Sequence, residues 1–279
     1  MSTHVTLWQA VVLGIVEGIT EFLPISSTAH LTLVERLMGL TTDNDAVTAY
    51  TAVIQDGAIV AAIVYFWRDV VRVVRGWGRG LVRAEARRDF DSRFGWYVIL
   101  GTIPIGVLAI LAKPAIEGPL RSLWVIAAGL ILWSPVMVLA ERKARQFRSE
   151  EELTLRDAIT IGLVQCAALI PGVSRSGATI SAGLFRGLDR VSATRFSFML
   201  GIPALLAAGV FELPDALKSN IGGGPVLVGV VVSFVVAYAS IAWLLRFVTG
   251  HSIARFTPYR VLLGALIIGL LVAGTISAT

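Results

Sequence analysis

Acidic, hydroxyl and basic side chains interrupt two apolar stretches of this chain. Near the N-terminus, Glu17 and Glu21 are followed by Pro24-Ile-Ser-Ser-Thr-Ala-His30. In the second half, Pro171-Gly-Val-Ser-Arg-Ser-Gly-Ala-Thr179 places an arginine among hydroxyl side chains. Ionisable side chains at membrane depth indicate a functional site. Two carboxylates and one arginine in such surroundings predict a site for phosphate and a metal ion.

The two carboxylates are the candidate metal ligands. Glu17 and Glu21 are four residues apart, so a helix brings their side chains together on one face. Two adjacent carboxylates in a low dielectric cannot both stay ionised without a cation. A hard divalent ion resolves this conflict, and Mg²⁺ is commonly held by one or two carboxylates together with phosphate oxygens. The alternative is an amphipathic helix with a hydrated face.

The segment after Pro24 offers hydroxyls and an imidazole. Proline ends one helix, and Ser26, Ser27 or Thr28 can cap the next, whose N-terminus attracts phosphate. His30 lies one helical turn from Ser27, which leaves three roles open: activating a serine, attacking phosphorus, or protonating a leaving oxygen. Helix packing through a hydrogen bond is the alternative role for this histidine.

Arg175 is the candidate phosphate ligand, because its planar guanidinium matches phosphate oxygens two at a time. An anion-binding nest around it is predicted from three hydroxyls and one backbone N–H group, those of Ser174, Ser176, Thr179 and Gly177. In the alternative interpretation, Arg175 belongs to an interfacial loop and extends to water.

Composition sets the class of protein that must position these residues. The chain has 279 residues, of which 56% are hydrophobic and 15% charged, with a mean hydropathy of +0.77. These values are typical of a polytopic membrane protein. The net charge of +5 comes from basic residues between apolar spans, which favours positive-inside topology over nucleic-acid binding. The single cysteine, Cys166, is interpreted as a packing residue.

Apolar segments near the required length of about 20 residues predict an all-α fold with six transmembrane helices. These spans are 47–67, 95–113, 121–140, 194–213, 225–247 and 259–277. Two further apolar regions, 7–40 and 157–190, are broken midway by Pro24 and Pro171. Each half is too short to cross, so both regions are predicted to be re-entrant helix-loop-helix hairpins.

Basic residues orient the protein. Nineteen Lys and Arg fall on one side, beside the second hairpin and in three segments interpreted as loops, Arg68–Arg93, Glu141–Asp157 and Arg246–Arg260. Four fall on the opposite side, and Arg175 alone is assigned to the interior. The richer side is predicted to be cytoplasmic, which places both termini outside.

The chain is interpreted as one integral membrane domain built from two repeats, about 1–140 and 157–279. An ungapped alignment places the segment starting at Gly14 over the segment starting at Gly162, and their polar breaks follow in the same order. One hairpin plus three spans per repeat makes the second copy inverted, as in many transporters. The alternative is two unrelated halves that share a Pro-Ser break.

The motifs resemble the signature of the undecaprenyl-diphosphate phosphatase family, the bacterial bacitracin-resistance proteins. They are Glu17-x-x-x-Glu21, Pro24-Ile-Ser-Ser-Thr-x-His30 and the nine residues from Pro171 to Thr179. The similarity extends along the whole chain and includes Arg195-Phe-Ser-Phe198 and Tyr65-Phe-Trp-Arg68.

The resemblance implies a bacterial inner-membrane hydrolase that converts undecaprenyl diphosphate to undecaprenyl phosphate and inorganic phosphate, recycling the carrier for peptidoglycan and other envelope polymers. It implies a divalent metal, Mg²⁺ or Ca²⁺, and an active site open to the extracytoplasmic side. The implied partners are the lipid substrate and membrane lipid, without nucleic acid, and a homodimer is compatible with it. Ala29, Val173 and Asp56 depart from the family pattern, but none of them removes a reacting group.

Roles for individual residues follow from the same resemblance. Glu17 and Glu21 are expected to bind metal and to act as acid or base, with Ser27 and His30 beside the scissile phosphate. The expected substrate-binding residues are Ser26, Thr28, Ser174, Arg175, Ser176, Gly177 and Thr179. Spacing leaves Ser27, His30 and water open as nucleophile; we favour Ser27 or His30, with Glu21 as the assisting base.

Two rival functions use the same layout. A polyprenyl-phosphate flippase or transporter would also place a headgroup site between inverted repeats. Such a protein needs binding but neither a nucleophile nor paired metal carboxylates, so the acidic motif favours an enzyme. A purely structural membrane protein would leave three polar motifs at membrane depth unexplained.

Overall fold

The computed structural model describes residues 5–40, 45–218 and 222–278, and these ranges form an all-α protein. The helices are α1 (Leu7–Thr20), α2 (Ser27–Leu37), α3 (Asp45–Tyr65), α4 (Trp67–Val82), α5 (Phe90–Leu111), α6 (Lys113–Glu117), α7 (Leu123–Lys143), α8 (Leu155–Gln165), α9 (Arg175–Phe185), α10 (Arg190–Lys218), α11 (Gly223–Gly250) and α12 (Thr257–Val272). Short 3-10 turns connect several of them.

Five of the six predicted spans coincide with helical segments long and apolar enough to cross a bilayer. These are Phe90–Leu111, Leu123–Lys143, Arg190–Val210, Gly223–Gly250 and Ile253–Val272. The remaining predicted span, 47–67, coincides with α3, whose described apolar part is the shorter segment Ala49–Tyr65. The protein is therefore a multi-pass membrane protein by helix length and composition, and a sixth crossing stays a prediction.

Both predicted hairpins form helix-loop-helix pairs. The first region, 7–40, contains α1 and α2, and the second, 157–190, contains α8 and α9. The residue before each second helix has a positive φ, +76° at Ser26 and +74° at Ser174. Each of these serines caps the helix that follows, because its Oγ accepts a hydrogen bond from a backbone N–H three residues on.

The ungapped alignment of the two hairpins pairs three of their four helix boundaries. It matches Leu7 with Leu155, the first residues of α1 and α8. It also matches Ser27 with Arg175, the first residues of α2 and α9, and Leu37 with Phe185, the last. This agreement is what an internal repeat predicts; the opposite orientation of the two copies stays a prediction.

Small residues bring each hairpin close to a longer helix. A Cβ added at Gly14 or Gly18 of α1 would collide with the backbone of α11, and one added at Gly162 of α8 would collide with Gly101 of α5. Glycine at such contacts lets two backbones approach closely, as is usual for helix packing in membranes.

An ionic cluster joins the two ends of the second hairpin. Asp157, in the first turn of α8, is buried and accepts hydrogen bonds from Arg148 at 2.6 Å and from Arg186 at 2.7 Å. Arg186 follows the last residue of α9. The two guanidinium groups compensate the cost of burying this carboxylate. Their charge-assisted hydrogen bonds hold α8 and α9 together at the end remote from their loop.

The region Arg68–Arg93, interpreted from the sequence as a loop, is largely helical, and that interpretation is wrong. It contains α4 and the beginning of α5. Val73, Gly76 and Gly80 form the buried face of α4, and both glycines lie against α5. The arginines of α4 lie on another, exposed face of this helix, and a run so rich in arginine is also typical of a loop in water.

Candidate active site

The two hairpins meet at their breaks, and Glu21 of the first hairpin contacts Arg175 of the second. Its Oε2 accepts a hydrogen bond from Ser27 Oγ at 2.7 Å. Its Oε1 lies 3.2 Å from Nη2 of Arg175, in the second hairpin. Glu21 and Arg175 are almost completely buried, so this ion pair is little screened by water. The predicted acidic and basic motifs thus form one site.

Glu17 lies one turn before Glu21 and is 1% exposed. Its Oε1 is buried and has no hydrogen-bond partner among the described residues. A buried carboxylate without a partner is costly unless a proton or a cation compensates it. An unpartnered carboxylate oxygen beside a second carboxylate fits a divalent ion, and the metal stays a prediction.

The protein side chains supply only part of such a coordination sphere. Within the described ranges, no group of three or more His, Cys, Asp or Glu residues is placed to hold a metal ion. Two carboxylates can hold Mg²⁺ when phosphate oxygens and water supply its remaining ligands. Glu17 and Glu21 therefore fit a metal that binds together with a phosphorylated ligand.

Arg175 begins α9 and is held in one orientation. Nη1 donates to the carbonyl of Ser197 at 3.2 Å, and Nη2 faces Glu21. The guanidinium lies against Gly201 of α10, where an added Cβ would be 2.9 Å from Nη2. Its Nε is buried and has no partner in the described part of the chain. Arg175 is thus buried and bonded, and it does not extend to water as in the alternative interpretation.

His30 is paired with Tyr259, not with Ser27. His30 Nδ1 lies 2.7 Å from the carbonyl oxygen of Ser26, and Nε2 lies 2.6 Å from the hydroxyl of Tyr259. A carbonyl only accepts, so the proton must be on Nδ1, and Nε2 of the neutral ring accepts from Tyr259. The two rings also stack, with centroids 5.6 Å apart. The expectation that His30 activates a serine finds no support, since Ser27 donates to Glu21.

The residues of the predicted anion-binding nest form hydrogen bonds with one another and with their surroundings. Ser174 Oγ accepts from the N–H of Gly177 and lies 3.1 Å from Ser176 Oγ. Ser176 Oγ donates to the carbonyl of Leu23 in the first hairpin at 3.1 Å. Thr179 Oγ donates to the carbonyl of Arg175 at 2.8 Å. These bonds fix the loop that carries Arg175 and tie it to the first hairpin.

The remaining predicted residues are placed at the start of α2. Ser26 is buried and caps this helix by accepting from the N–H of Ala29. Ser27 and His30 are half-buried, and Thr28 is exposed. Ser27 is therefore the hydroxyl that combines access with a carboxylate partner.

Sequence reasoning misplaced Arg260, which was counted in a cytoplasmic loop. Arg260 is fully buried and donates to backbone carbonyls of both hairpin loops and of α7. Its acceptors are the carbonyls of Pro24, Gly129, Gly172 and Val173, together with Ser134 Oγ. One buried guanidinium thus satisfies carbonyls that the two helix breaks leave without helical partners. Its position inside the predicted span 259–277 was the signal that could have revealed it.

The two hairpins contribute different chemistry although their backbones correspond. The alignment pairs Glu17 with Gln165 and Ser27 with Arg175, so the first hairpin supplies carboxylates and a hydroxyl and the second supplies the cation. Fold and site together define a polytopic α-helical membrane protein with a buried polar centre between two broken helix pairs.

Comparison with known proteins places this centre in a family. A profile of the family described as Bacitracin resistance protein BacA matches residues 10–266. The chain is 59% identical to the undecaprenyl-diphosphatase of Acidothermus cellulolyticus, over 97% of this chain and 98% of that protein. It is 53% identical to undecaprenyl-diphosphatase 1 of Streptomyces avermitilis, over 98% and 99% of the two chains. The chain belongs to the BacA family, which confirms the resemblance seen in the sequence.

Proposed function

We propose that this protein is an undecaprenyl-diphosphate phosphatase, which hydrolyses undecaprenyl diphosphate to undecaprenyl phosphate and inorganic phosphate. The observation that carries the proposal is the contact of Glu21 with both Ser27 and Arg175. It joins a candidate nucleophile, its base and a phosphate ligand in one buried centre. The relatives that match nearly the whole chain carry the name undecaprenyl-diphosphatase.

Ser27 is the proposed nucleophile, and Glu21 accepts its proton across the 2.7 Å hydrogen bond. Ser27 Oγ forms a bond to the terminal phosphorus while the bond to the bridging oxygen breaks, which releases undecaprenyl phosphate. Water then attacks the phosphoserine, releasing inorganic phosphate and restoring the hydroxyl. His30 is less suited to attack, because Ser26 and Tyr259 occupy both of its ring nitrogens.

Charge on the transferred phosphoryl oxygens is stabilised by Arg175, whose buried Nε is unpartnered within the described residues. Glu17 and Glu21 would hold the divalent ion, Mg²⁺ or Ca²⁺. When bound, it supplies positive charge that offsets the diphosphate oxygens. His30 is held by Ser26 and Tyr259 with its proton on Nδ1, so Nε2 is the ring nitrogen that can take up a proton.

The distribution of basic residues supports a cytoplasmic location for the basic segments. The family resemblance supports a place in the bacterial inner membrane, with the active site open to the extracytoplasmic side. The activity returns the lipid carrier to envelope synthesis and thereby gives bacitracin resistance. A flippase or transporter is not favoured, because transport requires no serine bonded to a buried carboxylate.

The test is phosphate release from a polyprenyl diphosphate by the purified full chain, with and without a chelator. Arg175→Lys keeps the charge but loses the planar fork, so turnover should fall by about 10²–10³-fold. Arg142→Lys, at an exposed position, is the matched control and should leave turnover unchanged. Full activity in excess chelator would remove the metal from the proposal, and an Arg175→Lys rate within about threefold of the parent would contradict the phosphate-binding role.

A further inference from the structure

Helix α4 presents a row of arginines that the active site does not use. Arg68, Arg72, Arg75 and Arg79 recur at a spacing of four, three and four residues, which places them on one face of the helix. All four are exposed. With Trp67 and Val71 they line an open groove of about 780 Å³.

Most of the positive charge in this groove is uncompensated. Arg72 is paired with Asp69 and with Asp91, each at 3.1 Å. Asp69 is also bound by Arg195 of α10 at 2.8 Å. Arg68, Arg75 and Arg79 have no acidic partner among the described residues. Three free guanidinium groups along one groove are complementary to an anion that carries phosphate oxygens.

A second face of α4 indicates where the anion comes from. Trp67, Val74 and Leu81 recur every seven residues and are 58%, 58% and 49% exposed, although they are apolar. Only Phe66 separates α4 from the apolar helix α3. An exposed apolar row that includes a tryptophan, beside a basic row, is typical of a helix at the membrane surface. The groove therefore lies at the level of lipid headgroups.

We propose that the α4 groove binds the phosphate group of an anionic glycerophospholipid. Arg68, Arg75 and Arg79 contact the phosphate oxygens, and Trp67 packs beside the upper part of the acyl chains. The site is separate from the catalytic centre and takes a different ligand, since no nucleophile or paired carboxylate lines the groove. Free inorganic phosphate offers the same oxygens but no apolar part, so an experiment can separate the two sources.

Trp67 provides the probe, because it lines the groove. The full chain is placed in phosphatidylcholine nanodiscs with increasing amounts of brominated phosphatidylglycerol or brominated phosphatidylcholine. The emission of Trp67 is obtained as the difference between the parent and Trp67→Phe. We expect quenching at a lower mole fraction of phosphatidylglycerol than of phosphatidylcholine, and addition of inorganic phosphate at matched ionic strength should not relieve it.

The decisive variant is the triple change Arg68→Gln, Arg75→Gln and Arg79→Gln. One arginine near an anionic surface contributes roughly fivefold to binding, so the triple change should weaken the apparent affinity for phosphatidylglycerol on the order of 10²-fold. The control removes the same formal charge from exposed positions at and just beyond the end of α7, by changing Arg142, Lys143 and Arg145 to Gln.

Each outcome decides the proposal. It stands if the control retains the preference for phosphatidylglycerol and the α4 triple variant loses it with an unchanged unfolding midpoint. Equal quenching by both lipids in the parent, or equal losses in both triple variants, would overturn it in favour of a diffuse charge effect. Relief of quenching by inorganic phosphate would overturn the assignment to lipid.

Discussion

Gly201→Ala tests whether the orientation of Arg175 sets the rate. Gly201 lies inside α10, and the Arg175 guanidinium rests directly on it. A Cβ at this position would meet Arg175 Nη1 first, and it would be 2.7 Å from Cζ and 2.9 Å from Nη2. Non-bonded heavy atoms normally stay roughly 3.5–4.0 Å apart. The methyl group must therefore displace the guanidinium by about 1 Å from its contact with Glu21.

The expected loss of rate exceeds the expected loss of stability. A displacement of about 1 Å at a positioning group can lower the rate by about 10²-fold, which corresponds to about 2.7 kcal/mol. Alanine stabilises a helix interior by roughly 0.5–1 kcal/mol relative to glycine. This gain partly offsets the cost of about 1–3 kcal/mol for overpacking a buried contact. The variant should fold, insert and yet hydrolyse the diphosphate slowly.

The assay is kcat/KM for phosphate release, measured together with the unfolding midpoint in detergent. Gly106→Ala in α5 is the control, since an added Cβ there meets no atom within 4 Å; it should retain parental activity. In an Arg175→Ala background, Gly201→Ala should cost little more, because both changes act on one group. The expected loss in kcat/KM is about 10²-fold. A folded Gly201→Ala protein that keeps more than about a third of the parental kcat/KM would refute the reasoning.

Three further changes test neighbouring residues. Arg260→Met removes the donor from three buried carbonyls in the helix breaks, those of Pro24, Gly172 and Val173. Each is costly to leave unsatisfied, so the free energy of unfolding should fall by at least about 3 kcal/mol. An unchanged midpoint in thermal unfolding would speak against this. Tyr259→Phe removes the hydrogen bond to His30 Nε2. It should lower kcat about tenfold, which is the value of one such bond, and shift the pH profile of kcat. An unaltered pH profile would exclude the pairing from the reaction. Glu17→Gln should raise the Mg²⁺ concentration for half-maximal phosphate release at least about tenfold, and an unchanged requirement would remove Glu17 as a ligand.

The local features of the fold were predictable because they depend on neighbouring residues. Pro24 and Pro171 lie in the breaks after α1 and α8, where proline disfavours a continuing helix. The serines before α2 and α9 cap the helices that follow, so both hairpins could be placed from the sequence. Apolar runs located five spans close to the observed helices. The interpretation of α4 as a loop failed because arginines at helical spacing resemble a solvated connection when the packing against α5 is unknown.

The sequence by itself determined which side chains are candidates for the chemistry, since carboxylates, hydroxyls and an arginine in apolar segments stand out by type and spacing. Only the tertiary structure decided how they pair. Glu21 meets Arg175 across 154 positions, and His30 meets Tyr259 across 229. Charge alone did not distinguish the buried Arg260 from the arginines that set the orientation in the membrane. Such contacts depend on how the hairpins pack against α7, α10 and α12, and helix packing is decided by the shapes of whole faces rather than by local spacing.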